Sequence, residues 1–363
     1  MLMRSCTHIA GSAVLLVALL GACTDERETA GEAPTSATPL RGEVLSQSDS
    51  LGMPTSIDVV GNALVVTDGL SARMVRVFDR RDGRLISSFG RKGSGPGEFQ
   101  APSHADPVPG STTAFWVHDQ SLRRTSYYDL ARDTLNPSAA GRRGVSYEPG
   151  PMPLYVRWID AGTLVGAGIV TPGRLGIFDS TGKLVRTAGE IPGKDGKTPE
   201  VVLQHAYSGP LVAKPDRSRL ALANRHADRL EIFDAAGKAL RTVHVRDGFV
   251  PAFVTRTTRE GPAMASGEDM RFGYVDAAAT EKAIYGLFSG VRRMDRPGRA
   301  TFGDVVYVFD WEGRVTRVLK LDALAIAMAV DPDDSTLYAI RLEPQPTIVR
   351  YPLPPATRTA SAR

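Results

Sequence analysis

Two histidines, His104 and His205, are the side chains of this 363-residue chain with the clearest chemical potential. Each falls where a connecting segment runs into a short extended stretch, and a neutral imidazole there could ligate a metal or carry a proton. A third partner is not evident, with Tyr207, Asp58 and Asp276 as the candidates. Arg157 lies inside Tyr155-Val156-Arg157-Trp158-Ile159, where its guanidinium would match an anionic ligand or close an internal salt bridge. The favoured expectation for both histidines is a hydrogen-bonded loop side chain. His104, His205, Tyr207 and Arg157 are the ligand-binding candidates. No metal is expected, and His104 and His205 are the positions that a divalent metal would use.

Other chemistry has weaker support. His118, His226 and His244 sit within or beside extended runs, which favours packing or surface roles. Arg292-Arg293-Met294-Asp295-Arg296 could meet an acidic partner or phosphate, but a solvated charge run is the commoner meaning. No serine elbow, paired-histidine motif, phosphate loop or EF-hand loop is present. The glycine-rich run 93–97 lacks a Gly-Lys-Ser/Thr ending.

Cysteine usage narrows the setting. Arg4 precedes an apolar stretch, Ala13–Leu20, too short to span a bilayer as a permanent helix, and Leu20-Gly21-Ala22-Cys23 follows. That run resembles a bacterial lipobox, so 1–22 is expected to be a signal peptide and Cys23 the lipidated N-terminus. Several acyl chains on one cysteine give a stable anchor. Thr24, where aspartate would mark inner-membrane retention, favours the outer membrane. Once Cys6 has left with the signal no free thiol remains, which excludes disulfides, thiolate metal sites and a cysteine nucleophile. Residues 23–42 read as a flexible tether, 43–355 as the folded body and 356–363 as a tail. The net charge of +4 has no basic block behind it, so no nucleic-acid partner is expected.

The elements that must position these side chains are legible as a repeat. Met74-Val75-Arg76-Val77-Phe78-Asp79 recurs as Arg174–Asp179, Arg229–Asp234 and Val305–Asp310, with weaker copies at Arg124–Asp129 and Thr347–Tyr351. The aromatics at 78, 128, 178, 233, 309 and 351 count six units. Behind the aromatic, Asp179-Ser180-Thr181-Gly182 and its relatives supply a carboxylate for turn N–H groups and a glycine for positive φ. Two more strands precede each hairpin. Four short strands per unit, apolar on both faces, predict an all-β fold: a six-bladed propeller of four-stranded antiparallel blades. Three prolines end the sixth unit after its third strand, so Glu43-Val44-Leu45-Ser46-Gln47 is expected to complete it. A seventh blade in the long interval between Phe233 and Phe309 is the rival count.

Gly90-Arg91-Lys92-Gly93-Ser94-Gly95-Pro96-Gly97-Glu98-Phe99 resembles the inter-blade linker of NHL-repeat propellers. So does the five-residue step from Asp68, Asp119 and Asn224 to Arg73, Arg124 and Arg229, which the third unit lacks. The body is similar to the TolB-like or NHL-like six-bladed propeller lipoproteins of bacteria. Their members include lyases, lactonases and plain binding domains, so the resemblance implies a fold and an exported setting without fixing an activity. In lyase relatives, histidines near the positions of His104 and His205 hold a metal or act in catalysis.

Strand order puts the long segments 90–104, 136–153, 189–209, 246–272 and 289–303 on one face, with 246–272 expected as a partial lid. The favoured function is a non-catalytic binding or scaffold module, taking a carbohydrate, peptide or protein partner through that face. The alternative is a metal-dependent lactonase-like or lyase-like enzyme with its site at the channel mouth.

Overall fold

The structure, a computed structural model, describes residues 28–30, 36–47, 51–133 and 144–355, the first three by backbone alone. The expected signal 1–22, Cys23 and the tail 356–363 lie outside the described residues.

Three strands precede the ring: β1 (Glu28–Ala30), β2 (Thr38–Leu40) and β3 (Glu43–Gln47). Blade 1 holds β4 (Pro54–Val60), β5 (Ala63–Asp68), β6 (Val75–Asp79) and β7 (Leu85–Phe89). Blade 2 holds β8 (Pro102–Pro107), β9 (Ala114–Asp119), β10 (Arg124–Asp129) and, after a helical turn α1 (Leu130–Asp133), β11 (Gly144–Ser146). Blade 3 holds β12 (Met152–Trp158), β13 (Thr163–Ile169), β14 (Leu175–Asp179) and β15 (Leu184–Ala188). A short helix, α2 (Glu200–Ala206), leads into blade 4, with β16 (Leu211–Ala213), β17 (Arg219–Ala223), β18 (Leu230–Asp234) and β19 (Ala239–His244). A separate ribbon, β20 (Phe253–Thr258) and β21 (Gly261–Ser266), precedes blade 5, which holds β22 (Tyr274–Ala279), β23 (Ile284–Phe288), β24 (Gly303–Phe309) and β25 (Val315–Ala325). Blade 6 holds β26 (Ala327–Val330), β27 (Thr336–Arg341) and β28 (Thr347–Pro352).

The ring closes as the prolines imply. β3 pairs antiparallel with β28, Thr347 opposite Gln47, so the outer strand of the last blade comes from the start of the body. Six blades form, and the long interval between Phe233 and Phe309 is taken up by the β20–β21 ribbon and the 289–302 loop rather than a seventh sheet.

The repeated phrase works by the expected turn chemistry. Asp179 Oδ1 accepts from the Thr181 and Lys183 amides, Asp234 Oδ1 from Ala236 and Lys238, and Asp310 Oδ1 from Glu312 and Arg314. Gly182, Gly237 and Gly313 follow at φ of 89°, 81° and 84°, where a side chain would be strained. Phe78, Phe178, Phe233 and Phe309 are buried just before these turns. Six apolar clusters result, one between each pair of neighbouring blades; Ile57, Leu64 and Phe78 meet Ala327, Tyr338 and Ile348 across the closing seam. Burying each such large side chain is worth about 1.5–3 kcal/mol, so every blade is held mainly by its neighbours.

Two expectations need correction. Part of the 23–42 stretch read as a tether is strand: β1 pairs parallel with β19 on blade 4, and β2 parallel with β25 on blade 5. Backbone groups along an open edge accept such additions whatever the side chains, so the apolar pattern gave no sign of them. Part of the 136–153 segment expected as loop is also strand, since β11 pairs with β10, while 134–143 lie outside the described residues.

Candidate functional site at the channel mouth

Each blade's innermost strand lines a central channel, pinched at Ile57, Asp58, Arg157, Ala277 and Met328 into two cavities. The larger, about 560 Å³, opens among the long loops: Met53, Leu70, Gln100, Gln120, Arg225, Phe302 and Leu342 edge it, and Ser103, His104, Tyr155 and Asp276 lie deeper. The smaller, about 330 Å³, opens on the short-turn face near Gly61, Pro109, Pro215 and Pro332.

Carboxylates on the innermost strands tie three of the blades to the next. Asp58 Oδ2 accepts from the Ala105 amide at 2.9 Å, Asp106 Oδ2 from Trp158 at 2.9 Å and Asp276 Oδ2 from Met328 at 2.8 Å. Burial pushes Asp58 up to about 6, against the pull of Arg157, the Ala105 amide and Ser56. Burial likewise pushes Asp276 up to about 7; the Met328 amide opposes this and Asp58 adds to it.

His104 is buried in the channel wall, where its Nε2 meets the backbone of Val156 at 3.0 Å and its Nδ1 meets Ser103 Oγ at 3.1 Å. Burial first, then Arg157 and His118, hold it well below the usual histidine range, so it is neutral. Both ring nitrogens are engaged, as expected of a hydrogen-bonded side chain. His205 is not brought to it. It is half-buried on α2, a helix inside the linker that the sequence reading did not anticipate, and it does not line the channel. Tyr207, just past α2, is buried and lines a separate cleft of about 550 Å³ with Lys194 and Arg229. Among the described residues no group of three or more His, Cys, Asp or Glu side chains could hold a metal ion.

Arg157 does face the channel and lines both cavities. Its Nη1 makes only long contacts, 3.4 Å, to the carbonyl oxygens of Ala105 and Val156, and among the described residues no carboxylate lies within ion-pair distance. Two mouth residues escaped the sequence reading: Arg225, whose Nη2 donates to Tyr155 Oη at 2.6 Å, and Tyr155 itself. A signal existed for each. Tyr155 shares the face of Arg157 by the period of two, and Arg225 follows the second strand of its unit, where the chain turns at the long-loop face.

The long loops are fastened from below. Asp119 accepts from the Gln100 and Ala101 amides, and Arg124 donates to the carbonyls of Ser94, Gly95 and Glu98. The third unit, without that Asp–Arg step, uses Gln204 of α2 instead: its Oε1 accepts from Val170, and its Nε2 donates to Gly173. Arg174, fully buried, pairs with Glu231 and donates to Asn224 and to the Tyr207 carbonyl, joining blade 3 to blade 4. The ribbon packs Phe253 and Met264 against Leu203, Ala206 and Tyr207. No residue of 246–272 lines the channel, so the expected lid is instead a buttress for α2.

Fold and site together define a closed six-bladed propeller with a mixed polar and apolar pocket at the mouth of its channel. The chain belongs to the TolB-like 6-blade propeller-like family, whose model matches residues 35–333. No curated relative matches it. Among solved structures it is similar to U3-55K, at 10% identity and a TM-score of 0.51, over 86% of this chain and 98% of that one. It is similar also to the WD40 repeats of RRP9, at 10% identity and a TM-score of 0.51, over 86% and 97%. At such identity the likeness is one of fold alone.

Proposed function

We propose that this chain is an exported binding module, anchored through lipid on Cys23 to the bacterial cell envelope and, where two membranes exist, to the outer one. It takes a carbohydrate, peptide or protein partner through the long-loop face, with the projecting part of that partner seated in the channel mouth. The observation that carries this reading is the open cavity of about 560 Å³ on that face. Its size falls in the range of about 300–1,000 Å³ typical of sites that enclose small ligands or side chains. Binding is favoured over catalysis because His104 Nε2, Asp58 Oδ2 and Asp276 Oδ2 are each engaged by the backbone of the next blade, and His104 Nδ1 and Asp276 Oδ1 by Ser103 and the Ala277 amide. A general base or metal ligand needs a free lone pair aimed at substrate.

Peptide and glycan arrays probed with the full chain and with Arg225→Glu test this. Ligands held by the wild type should be lost with Arg225→Glu, and mass spectrometry should recover them unchanged. Ligands held equally by both forms would move the site away from the mouth. Cleavage of a bound ligand, with stoichiometric metal in the purified protein, would favour the enzyme reading. Separately, Cys23→Ala should shift the protein from the membrane to the soluble fraction.

A further inference from the structure

We propose that the channel mouth selects a carboxylate carried on an apolar body, the carboxylate lying against Arg157 and Arg225 and the body against the rim. This rests on the mouth being the binding site and names the chemistry that the site would take.

Three observations converge. Arg157 is only 8% exposed and, among the described residues, has no carboxylate within ion-pair distance. A guanidinium shielded from water, with long contacts to two carbonyls and only the through-space pull of Asp58, lacks a carboxylate in direct contact. The second guanidinium, on Arg225, lines the same cavity and is held by the neutral Tyr155 Oη, with Asp276 acting on it only through space. Finally, the rim carries exposed apolar side chains, Leu70 at 73% and Met53 at 50%, with Leu154, Phe302, Ile326 and Leu342 beside them and Gln100 and Gln120 interspersed. Exposed large apolar side chains around a cationic floor suit a ligand of the same polarity order.

The other charged groups facing the pocket set the pH at which this charge is felt. Asp58 and Asp276 accept backbone amides and burial raises them to about 6 and about 7, so as anions they offset the arginines at about pH 8 and release that offset as pH falls. Asp106 lies on the short-turn side, paired with Arg217 at 3.2 Å. His104 and His118 are held neutral by burial. The mouth therefore becomes more positive as Asp276, and then Asp58, take up protons.

A carboxylate on an apolar body has two plausible sources, the free C-terminus of an apolar peptide and a fatty acid. Calorimetric titration of the full chain with Cys23→Ser, which removes the acylation site, separates them. One pair of probes is an acetylated Leu-Leu-Phe peptide with a free or an amidated C-terminus. The other is dodecanoate and dodecanol. In at least one pair the acid should bind about tenfold or more tighter than its neutral twin, the scale of one charge-assisted contact. Arg157→Gln and Arg225→Gln should each remove that preference, whereas Arg157→Lys, which keeps the charge, should retain most of it. Leu70→Ser should weaken acid and neutral probes alike. Binding of the acid should also strengthen from about pH 8 to about pH 6, and Asp276→Asn should flatten that rise. The pair that shows the preference identifies the source. Equal binding of acid and neutral probes, sensitive to Leu70→Ser, would overturn the carboxylate assignment and leave the mouth as a binding site. No binding sensitive to any of these variants would overturn both.

Discussion

Among single residues, Asp276 makes the sharpest claim. Its folded value, about 7, stands above the ordinary carboxylate value because burial penalises the anion. An acid whose folded value is raised binds more protons in the native state than in the unfolded one between those two values. Stability from this group is therefore greatest at the acid end of that interval and declines as pH rises toward about 7. Asp276→Asn keeps an oxygen for the Met328 amide, gives up the acceptor for the Ala277 amide and removes the charge. Its effect on stability should therefore be more favourable at about pH 8 than at about pH 5 by roughly 1–2 kcal/mol. Thermal melts of both forms at the two pH values check this, and an equal effect at both would count against the raised value. Asp58 and Asp276 were legible only as possible metal partners. Their actual acceptor role depends on a backbone amide about one blade further along the chain, a relation visible once strands are placed side by side. The turn aspartates at 179, 234 and 310 were legible in full, because their partners lie within four residues.

At the scale of the element, local pattern carried the blades and failed at the inserts. The aromatic–Asp–Gly phrase marks a hairpin whose register is fixed by its own turn, so four hairpins could be placed from sequence and the other two units by their aromatic alone. α2 and the β20–β21 ribbon have no such self-sufficient signal. α2 has only seven residues, too few for helical propensity to decide its form, and it is held by Gln204 and by packing against the ribbon. The ribbon in turn is largely exposed, and its ends meet where the Gly267 amide donates to the Ala252 carbonyl at 3.0 Å. Replacing Phe253–Ser266 by two glycines should therefore leave the six blades intact. The expected cost is about 1–3 kcal/mol, from loss of the Phe253 and Met264 contacts on α2. Urea unfolding followed by far-UV circular dichroism should show one cooperative transition shifted to lower midpoint. Loss of native sheet signal in the absence of denaturant would mean that the ribbon organises blade 5 rather than buttressing α2.

Taken whole, the molecule is a ring with β1, β2 and β3 laid on the outer edges of blades 4, 5 and 6, and this bears on how it meets a membrane. Closure by β3 was readable because the sixth unit lacks an outer strand. The additions of β1 and β2 were not, because they use edge backbone rather than an apolar face. In every blade the outermost strand runs from the short-turn face toward the long-loop face. Being parallel to β19, β1 does the same, with Glu28 opposite Thr242. The chain therefore enters β1 from the short-turn side of blade 4. With Cys23 acylated as proposed, five peptide steps separate the lipid from Glu28, a reach of at most about 18 Å. On that proposal, so short a leash would hold the rim of blade 4 against the bilayer, turn blade 1 across the ring away from it, and leave the channel mouth open to ligand. The native thiols are Cys6, in the expected signal, and Cys23, so an introduced cysteine is the sole labelling site in the acylated protein. Fluorophores at Lys238→Cys on the short turn of blade 4, Arg84→Cys on that of blade 1 and Leu70→Cys at the mouth report the geometry. In vesicles containing headgroup-quencher lipids, the Lys238→Cys probe should be quenched several-fold more than the other two. Inserting a long Gly/Ser linker after Asp25 should even them out, because a flexible chain extends as the square root of its length and lets the ring tumble. Equal quenching without the insert, in protein whose Cys23 is shown by mass spectrometry to be acylated, would mean that β1 does not hold the ring to the membrane.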